Sequence, residues 1–149
     1  MKIFINADTY KEVAIDTKKE LGELCGSFDI EIVDNASKAD MIFSIGGDGT
    51  FLESARLSNG IPVIGINCGT LGFLTDINPD DLEETIASIL DGKYYIEERM
   101  MLEGEIIKEN GEIIKIPHAL NEIALSKNTF GVVRFDAIVD GKLINSDTA

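Results

Sequence analysis

Basic residues are scarce in this chain. Thirteen Lys and Arg stand against 27 Asp and Glu, a formal net charge of −14 over 149 residues. Nowhere do the cations gather into the patch that a nucleic acid or an anionic membrane surface requires, which argues against both as partners. A small polyanionic ligand remains compatible if backbone N–H groups, a few placed cations and a metal ion meet its charge. Cysteine is nearly absent. Cys25 and Cys68 lack metal-ligand spacing and are too few for a disulfide framework, so the expected setting is reduced and cytoplasmic. The lone His118, beside Pro117, reads as a loop or packing residue rather than a catalytic one. Long apolar runs are missing too: none approaches the ~20 residues of a membrane span, and the opening MKIFINADTY is too short and polar for a signal peptide. Low-complexity tracts are absent, and with 44% hydrophobic residues the chain can bury a core.

The first two-thirds alternate between strand-like and helix-like segments. Lys2–Asn6 is an apolar run suited to a buried parallel strand. From Tyr10 to about Cys25, Val13, Thr17, Leu21 and Leu24 recur at helical spacing, with Gly26 as the stop. Phe28–Val33, Met41–Ile45 and Pro62–Asn67 read as further strands. Thr50-Phe51-Leu52-Glu53 has the form of a capping box, which would open a helix at Thr50. Asn78-Pro79-Asp80-Asp81 is another helix start, with Asn as cap and Pro at the first helical position. Leu82, Ile86, Ile89 and Leu90 form its apolar stripe, and Asp91-Gly92 ends it. This is the pattern of a doubly wound α/β layer, assigned to residues 1–95.

Beyond about Tyr94 the helical period disappears. Met101–Lys108 and Glu112–Pro117 flank Asn110-Gly111, a strong hairpin signal. Leu120–Lys127 and Val132–Val139 follow as strands, and Asp140-Gly141 makes a tight turn before Lys142–Ile144. Residues 96–149 therefore read as the first strands of a β-rich domain whose remainder lies outside the sequence.

Three motifs could carry chemistry. In Gly46-Gly47-Asp48-Gly49 a strand feeds a helix start, placing free N–H groups and a positive dipole end where open α/β sheets bind ligands. The glycines remove Cβ atoms that would hold a phosphate away. Asp48 suits a phosphate cradle poorly, because a carboxylate repels phosphate. It suits a base or orienting group for a hydroxyl, or a contact to magnesium; the plain alternative is an Asp-Gly turn. The spacing is neither a P-loop nor a dinucleotide fingerprint. The second motif is Gly65–Leu74 (GINCGTLGFL), a long loop facing the first across a cleft, or else an ordinary crossover with Leu71, Phe73 and Leu74 packed inward. In the third, Asn121-Glu122, the side chains face opposite sides of a strand; a polar strand start is the plain reading.

Taken in order, GGDGT at Gly46–Thr50, GINCGTLGFL at Gly65–Leu74, Arg99 in ERMML and the Asn121-Glu122 pair make the chain resemble the NAD kinases, over essentially all 149 residues. These enzymes phosphorylate the adenosine-side 2′-hydroxyl of NAD to give NADP. GGDGT alone is shared with diacylglycerol and sphingosine kinases, and phosphofructokinases carry a close relative; the second run and the Asn-Glu pair are more particular. The resemblance implies a Rossmann-like domain joined to a β-sandwich domain with the site between them. It assigns Asp48 as the catalytic aspartate, Gly46, Gly47, Gly49 and Thr50 to the ATP phosphates, and Asp48, Gly49, Phe73, Asn121 and Glu122 to NAD. It implies Mg²⁺ or another divalent metal accompanying ATP, with no side-chain ligand assigned, polyphosphate as an alternative donor, and a homo-oligomer (dimer or tetramer) at full length. The family continues with a T-P-x-G-S-T-A-Y run, whereas this chain ends at Ser146-Asp147-Thr148-Ala149. It reads as the N-terminal part of such an enzyme, lacking much of the NAD pocket. The rival readings are a diacylglycerol-type lipid kinase and a non-catalytic nucleotide-binding module.

Overall fold

A computed structural model of the chain describes residues 1–69, 72–75, 77–126 and 130–148. Strands β1 (Lys2–Ala7), β2 (Glu31–Ile32), β3 (Met41–Gly46) and β4 (Val63–Asn67) form one parallel sheet in the order β2-β1-β3-β4. Helix α1 (Glu12–Ser27) joins β1 to β2, α2 (Asp48–Ser58) joins β3 to β4, and α3 (Leu82–Leu90) follows β4. Every residue of β3 is buried, as an apolar run with helices on both faces should be. Met41, Phe43 and Ile45 of β3 share a core with Ile3, Ile66, Leu21 of α1 and Leu82, Ile86 and Ile89 of α3. Ile42 and Ser44 point to the other face. There Asn6 Nδ2 donates to Ser54 Oγ of α2 at 3.0 Å. With α1 and α3 on one face and α2 on the other, the expected doubly wound α/β architecture is present.

Close approach of α2 to the sheet depends on Gly65 in β4. A Cβ there would stand 2.8 Å from both Phe51 Cδ2 and Thr75 Cγ2. Gly65→Ala is expected to cost about 1–3 kcal/mol through overpacking, read as a lower denaturant midpoint; an unchanged midpoint would show that the layer yields without strain.

Local signals set most elements but not all their ends. Helix α1 runs through Gly26 to Ser27, because the left-handed residue that follows is Asp29 (φ 55°) rather than the glycine. The longer helix leaves β2 only two residues, where a strand over Phe28–Val33 was expected. The buried stripe of α1 keeps the expected Thr17 and Leu21 and adds Ala14 and Cys25, with Leu24 half-buried against the core and Val13 exposed. The stripe of α3 is Leu82, Ile86 and Ile89, whereas Leu90 is exposed. Its entry is a 3₁₀ turn at Pro79–Asp81, where the expected Asn78 side-chain cap does not form and the Asn78 carbonyl instead accepts from Asp81 N at 3.1 Å; Gly92 (φ 69°) follows the end of α3.

The capping box does not form. Gly47 is the N-cap of α2, with extended backbone, and its carbonyl accepts from Phe51 N at 3.1 Å. Thr50 therefore lies within the first turn, and Glu53 reaches instead toward Asn6 Nδ2, 3.4 Å away. Glycine is an acceptable N-cap, so the helix begins at Asp48 and presents a carboxylate to its own positive end.

The rest of the described chain holds two antiparallel pairs. Strands β5 (Leu102–Ile107) and β6 (Ile113–Ala119) pair across Gly111 (φ 84°), and β7 (Arg134–Val139) and β8 (Lys142–Thr148) pair across Asp140-Gly141 (φ 50° and 75°). Both turns fall where Asn-Gly and Asp-Gly place them. His118 and Pro117 lie within β6 rather than in a loop. The register slips from Gly104↔Ile116 to Leu102↔Ala119, so the irregularity falls at the proline that has no N–H to donate. The strand expected over Leu120–Lys127 is absent from its described part, residues 120–126; Lys127 lies outside the described residues. A left-handed Asn121 (φ 74°) stops the extension of β6.

Candidate functional site

Parallel register assembles the site. Ala7 pairs with Ile45, and Gly46 with Asn67, so β1, β3 and β4 all end at one edge of the sheet. The chain winds outward from β1 to β2 on one side, and from β3 to β4 on the other. The reversal lies between β1 and β3, the crevice where open α/β sheets take ligands. Helix α2 starts in this crevice, and its first N–H groups have no partner within the helix.

Asp48 holds the two glycine motifs together. Its Oδ2 accepts from Phe73 N at 3.0 Å, and its Oδ1 accepts from Leu74 N at 3.1 Å. Gly72 permits this approach, since a Cβ there would overlap the Asp48 carboxylate. Each carboxylate oxygen keeps a further lone pair. The aspartate is thus fixed by backbone donors and still able to accept a hydrogen bond from a hydroxyl.

The remaining candidates are placed as follows. Gly46 ends β3, is buried, and accepts from Cys68 N at 2.8 Å; a Cβ on it would collide with the Thr50 side chain. Gly47 caps α2, while Gly49 is exposed in its first turn with open space where a Cβ would be. Phe73 is 94% exposed rather than packed inward, Leu74 is half-buried, and Leu71 lies outside the described residues. Asn121 and Glu122 are exposed and follow Leu120 after β6, which packs against α2. Glu122 N donates to Leu120 O at 3.1 Å, closing a three-residue turn around Asn121. Among the described residues no hydrogen bond joins this pair to the glycine loops. Arg99 is paired with Glu97 at 3.1 Å.

One neighbour escaped the sequence. Lys11, the residue before α1, extends over both loops: its Nζ lies 2.9 Å from where a Cβ on Gly69 would stand and 3.6 Å from that of Gly47. Motif reading passed it by because nothing in the chain order places the β1 loop beside the β3 loop. The two cysteines carry no such signal. Burial pushes the Cys25 thiol above its ordinary pKa. Burial also raises Cys68, against the opposing pull of the Thr17 hydroxyl and the Lys11 charge. Both stay protonated at neutral pH, unsuited to attack or metal ligation.

Among the described residues no three His, Cys, Asp or Glu side chains converge as a metal cage. A crevice with one fixed carboxylate and open space at Gly49 fits a magnesium ion that arrives on nucleotide phosphates, as that ion commonly does. Nor is any helix among the described residues long and apolar enough to cross a membrane.

Comparison with known proteins agrees with this geometry. Residues 7–94 match the model of the ATP-NAD kinase N-terminal domain. An NAD kinase of Pseudomonas entomophila is 41% identical over 137 residues, and one of Pseudomonas putida is 40% identical over the same length. In each case the match takes in 89% of this chain and 41% of the relative, so the chain spans about two-fifths of their length. An NAD kinase from Archaeoglobus fulgidus, solved in complex with ATP, superimposes with a TM-score of 0.66 at 25% identity, over 97% of this chain and 55% of that one. A yeast NADH kinase complexed with NADH gives 0.76 at 17% identity, over 100% of this chain and 55% of that one, a likeness of fold. From the matched glycine motifs to the sheet that presents them, this chain belongs to the NAD kinase family.

Proposed function

We propose that the protein carrying this chain transfers the terminal phosphoryl group of ATP to the 2′-hydroxyl of the adenosine ribose of NAD. The observation that carries this reading is the Asp48 carboxylate, held by Phe73 and Leu74 N–H groups at the mouth of the crevice. A carboxylate so placed serves the acceptor hydroxyl better than the donor phosphates. In the step, the 2′-oxygen forms a bond to the γ-phosphorus and the bond from that phosphorus to the β–γ bridging oxygen breaks. ADP leaves, and Asp48 takes the hydroxyl proton. The N-terminal turn of α2, with Gly46, Gly47, Gly49 and Thr50, receives the phosphates. Phe73 offers an exposed ring to the adenine, and Asn121 and Glu122 hold the ribose-nicotinamide part. Mg²⁺ bound to the phosphates would lower their charge.

In the same reading, residues 1–95 form the nucleotide-binding domain and 96–149 begin the β-rich NAD-binding domain. Support comes from the family match ending at residue 94 and from the change to antiparallel pairing after it. We place the protein in the cytoplasm as a homo-oligomer, with polyphosphate as a second donor. The discriminating experiment supplies ATP and Mg²⁺ with either NAD or diacylglycerol vesicles. NADP formation without phosphatidate is the expected result; phosphatidate alone would assign the site to the lipid kinases that share GGDGT, and neither product would make it a binding module.

A further inference from the structure

We propose that Lys11 is the protein's own cation for the donor's phosphates, meeting the charge that the two glycine loops receive with backbone alone. The proposal rests on the reading of the crevice as a phosphoryl-donor site. The need for a cation is plain in the sequence, where no Lys or Arg lies between Met41 and Glu53 or between Ile61 and Asp91. The loop after β1 supplies one from outside both motifs. Lys11 Nζ occupies space above Gly69 and Gly47 that any side chain on Gly69 would contest, 2.9 Å from its Cβ position. Its charge acts on the thiol of Cys68, the residue before Gly69, against the opposing charge of Asp8. Among the described residues no carboxylate lies within ion-pair distance of this ammonium. Nearby Asp8 is engaged otherwise, accepting from Tyr10 N at 2.9 Å. An ammonium with no carboxylate partner among the described residues, next to the N–H groups that begin α2, faces the switch point of the sheet. That combination selects an anion with several phosphoryl groups, because one charge and one helix end at separate points engage different oxygens of the same chain.

Lys11 is exposed and its side chain caps nothing, so replacing it should leave the fold intact. The test measures binding of inorganic tripolyphosphate and of ATP by calorimetry in the wild-type protein, Lys11→Gln and Lys11→Arg. Lys11→Gln is expected to weaken both by about tenfold or more, the worth of a charge-assisted contact. It should also flatten the salt dependence and leave NAD binding unchanged, whereas Lys11→Arg should restore most of the affinity. Tripolyphosphate binding that is equal in wild type and Lys11→Gln would overturn the proposal, as would a loss that extends equally to NAD. Because the readout is binding, a wild-type protein that holds tripolyphosphate through Lys11 yet makes no NADP would refute the assigned reaction while sustaining the assigned cation.

Discussion

Asp48→Asn will lower the rate of NADP formation by about a thousandfold, within the range expected for loss of a positioned general base. An amide cannot take the hydroxyl proton. It also fits its surroundings badly, because Asp48 accepts from two N–H groups, one on each oxygen. Asparagine offers one acceptor oxygen and an NH₂ that would face a second donor. The substitution therefore leaves either Phe73 N–H or Leu74 N–H without its partner. That adds a stability loss of about 1–3 kcal/mol if the freed group stays dry, and less if water reaches it, since Phe73 is exposed. Turnover measured on samples shown to be folded by circular dichroism separates the two effects. Near-normal turnover would remove Asp48 from the chemistry.

Gly72→Ala should be the second most damaging change, although Gly72 need touch no substrate. The harm comes from the Cβ, which would overlap the Asp48 carboxylate. Either the carboxylate turns away or the loop lifts off α2. Both displace the proton acceptor by about an ångström, a misplacement that can cost about a hundredfold in rate. The affinity for ATP should hardly change, because Gly47 and the first turn of α2 stay in place. A fall in the maximal rate with unchanged KM for ATP is the expected pattern. Unchanged turnover would show that the Asp48 contact with this loop is dispensable.

What the sequence made legible was decided over short distances. The Asn-Gly and Asp-Gly turns needed only residues that accept positive φ, and Gly111 and Asp140-Gly141 do so. The entry to α3 was marked by Pro79, which opens the 3₁₀ turn leading into it. Strand β3 was visible as an apolar run because burial on both faces favours apolar side chains along its length, Ser44 being its one buried polar residue. Failures arose where one local pattern fits two structures. Thr50–Glu53 suits a capping box, yet it also suits the first turn of a helix that a glycine has already capped. Ile123 and Leu125 can share one face of a strand, yet the left-handed Asn121 breaks the extension that pairing would need.

The site was legible as a pair of loops but not as an assembly. Asp48 was marked as chemically odd from its motif alone. Its two partners lie 25 and 26 residues away, and only the β3–β4 register brings them close. Lys11 is farther from both loops in kind, since it belongs to no motif and enters through the β1–β3 pairing. Distances set by strand register are not written in the spacing of residues. They become readable once the strand order is known.

The central claim is that Asp48 serves the acceptor hydroxyl while backbone and Lys11 serve the donor. The most direct test compares ATP binding with the single-turnover rate of phosphoryl transfer to NAD in the wild-type and Asp48→Asn proteins. The account predicts that ATP binds the variant as tightly as the wild type, or more tightly because a carboxylate near the phosphates has been neutralised, while the transfer rate collapses. ATP binding that weakens in step with the transfer rate would contradict it and place Asp48 on the donor side.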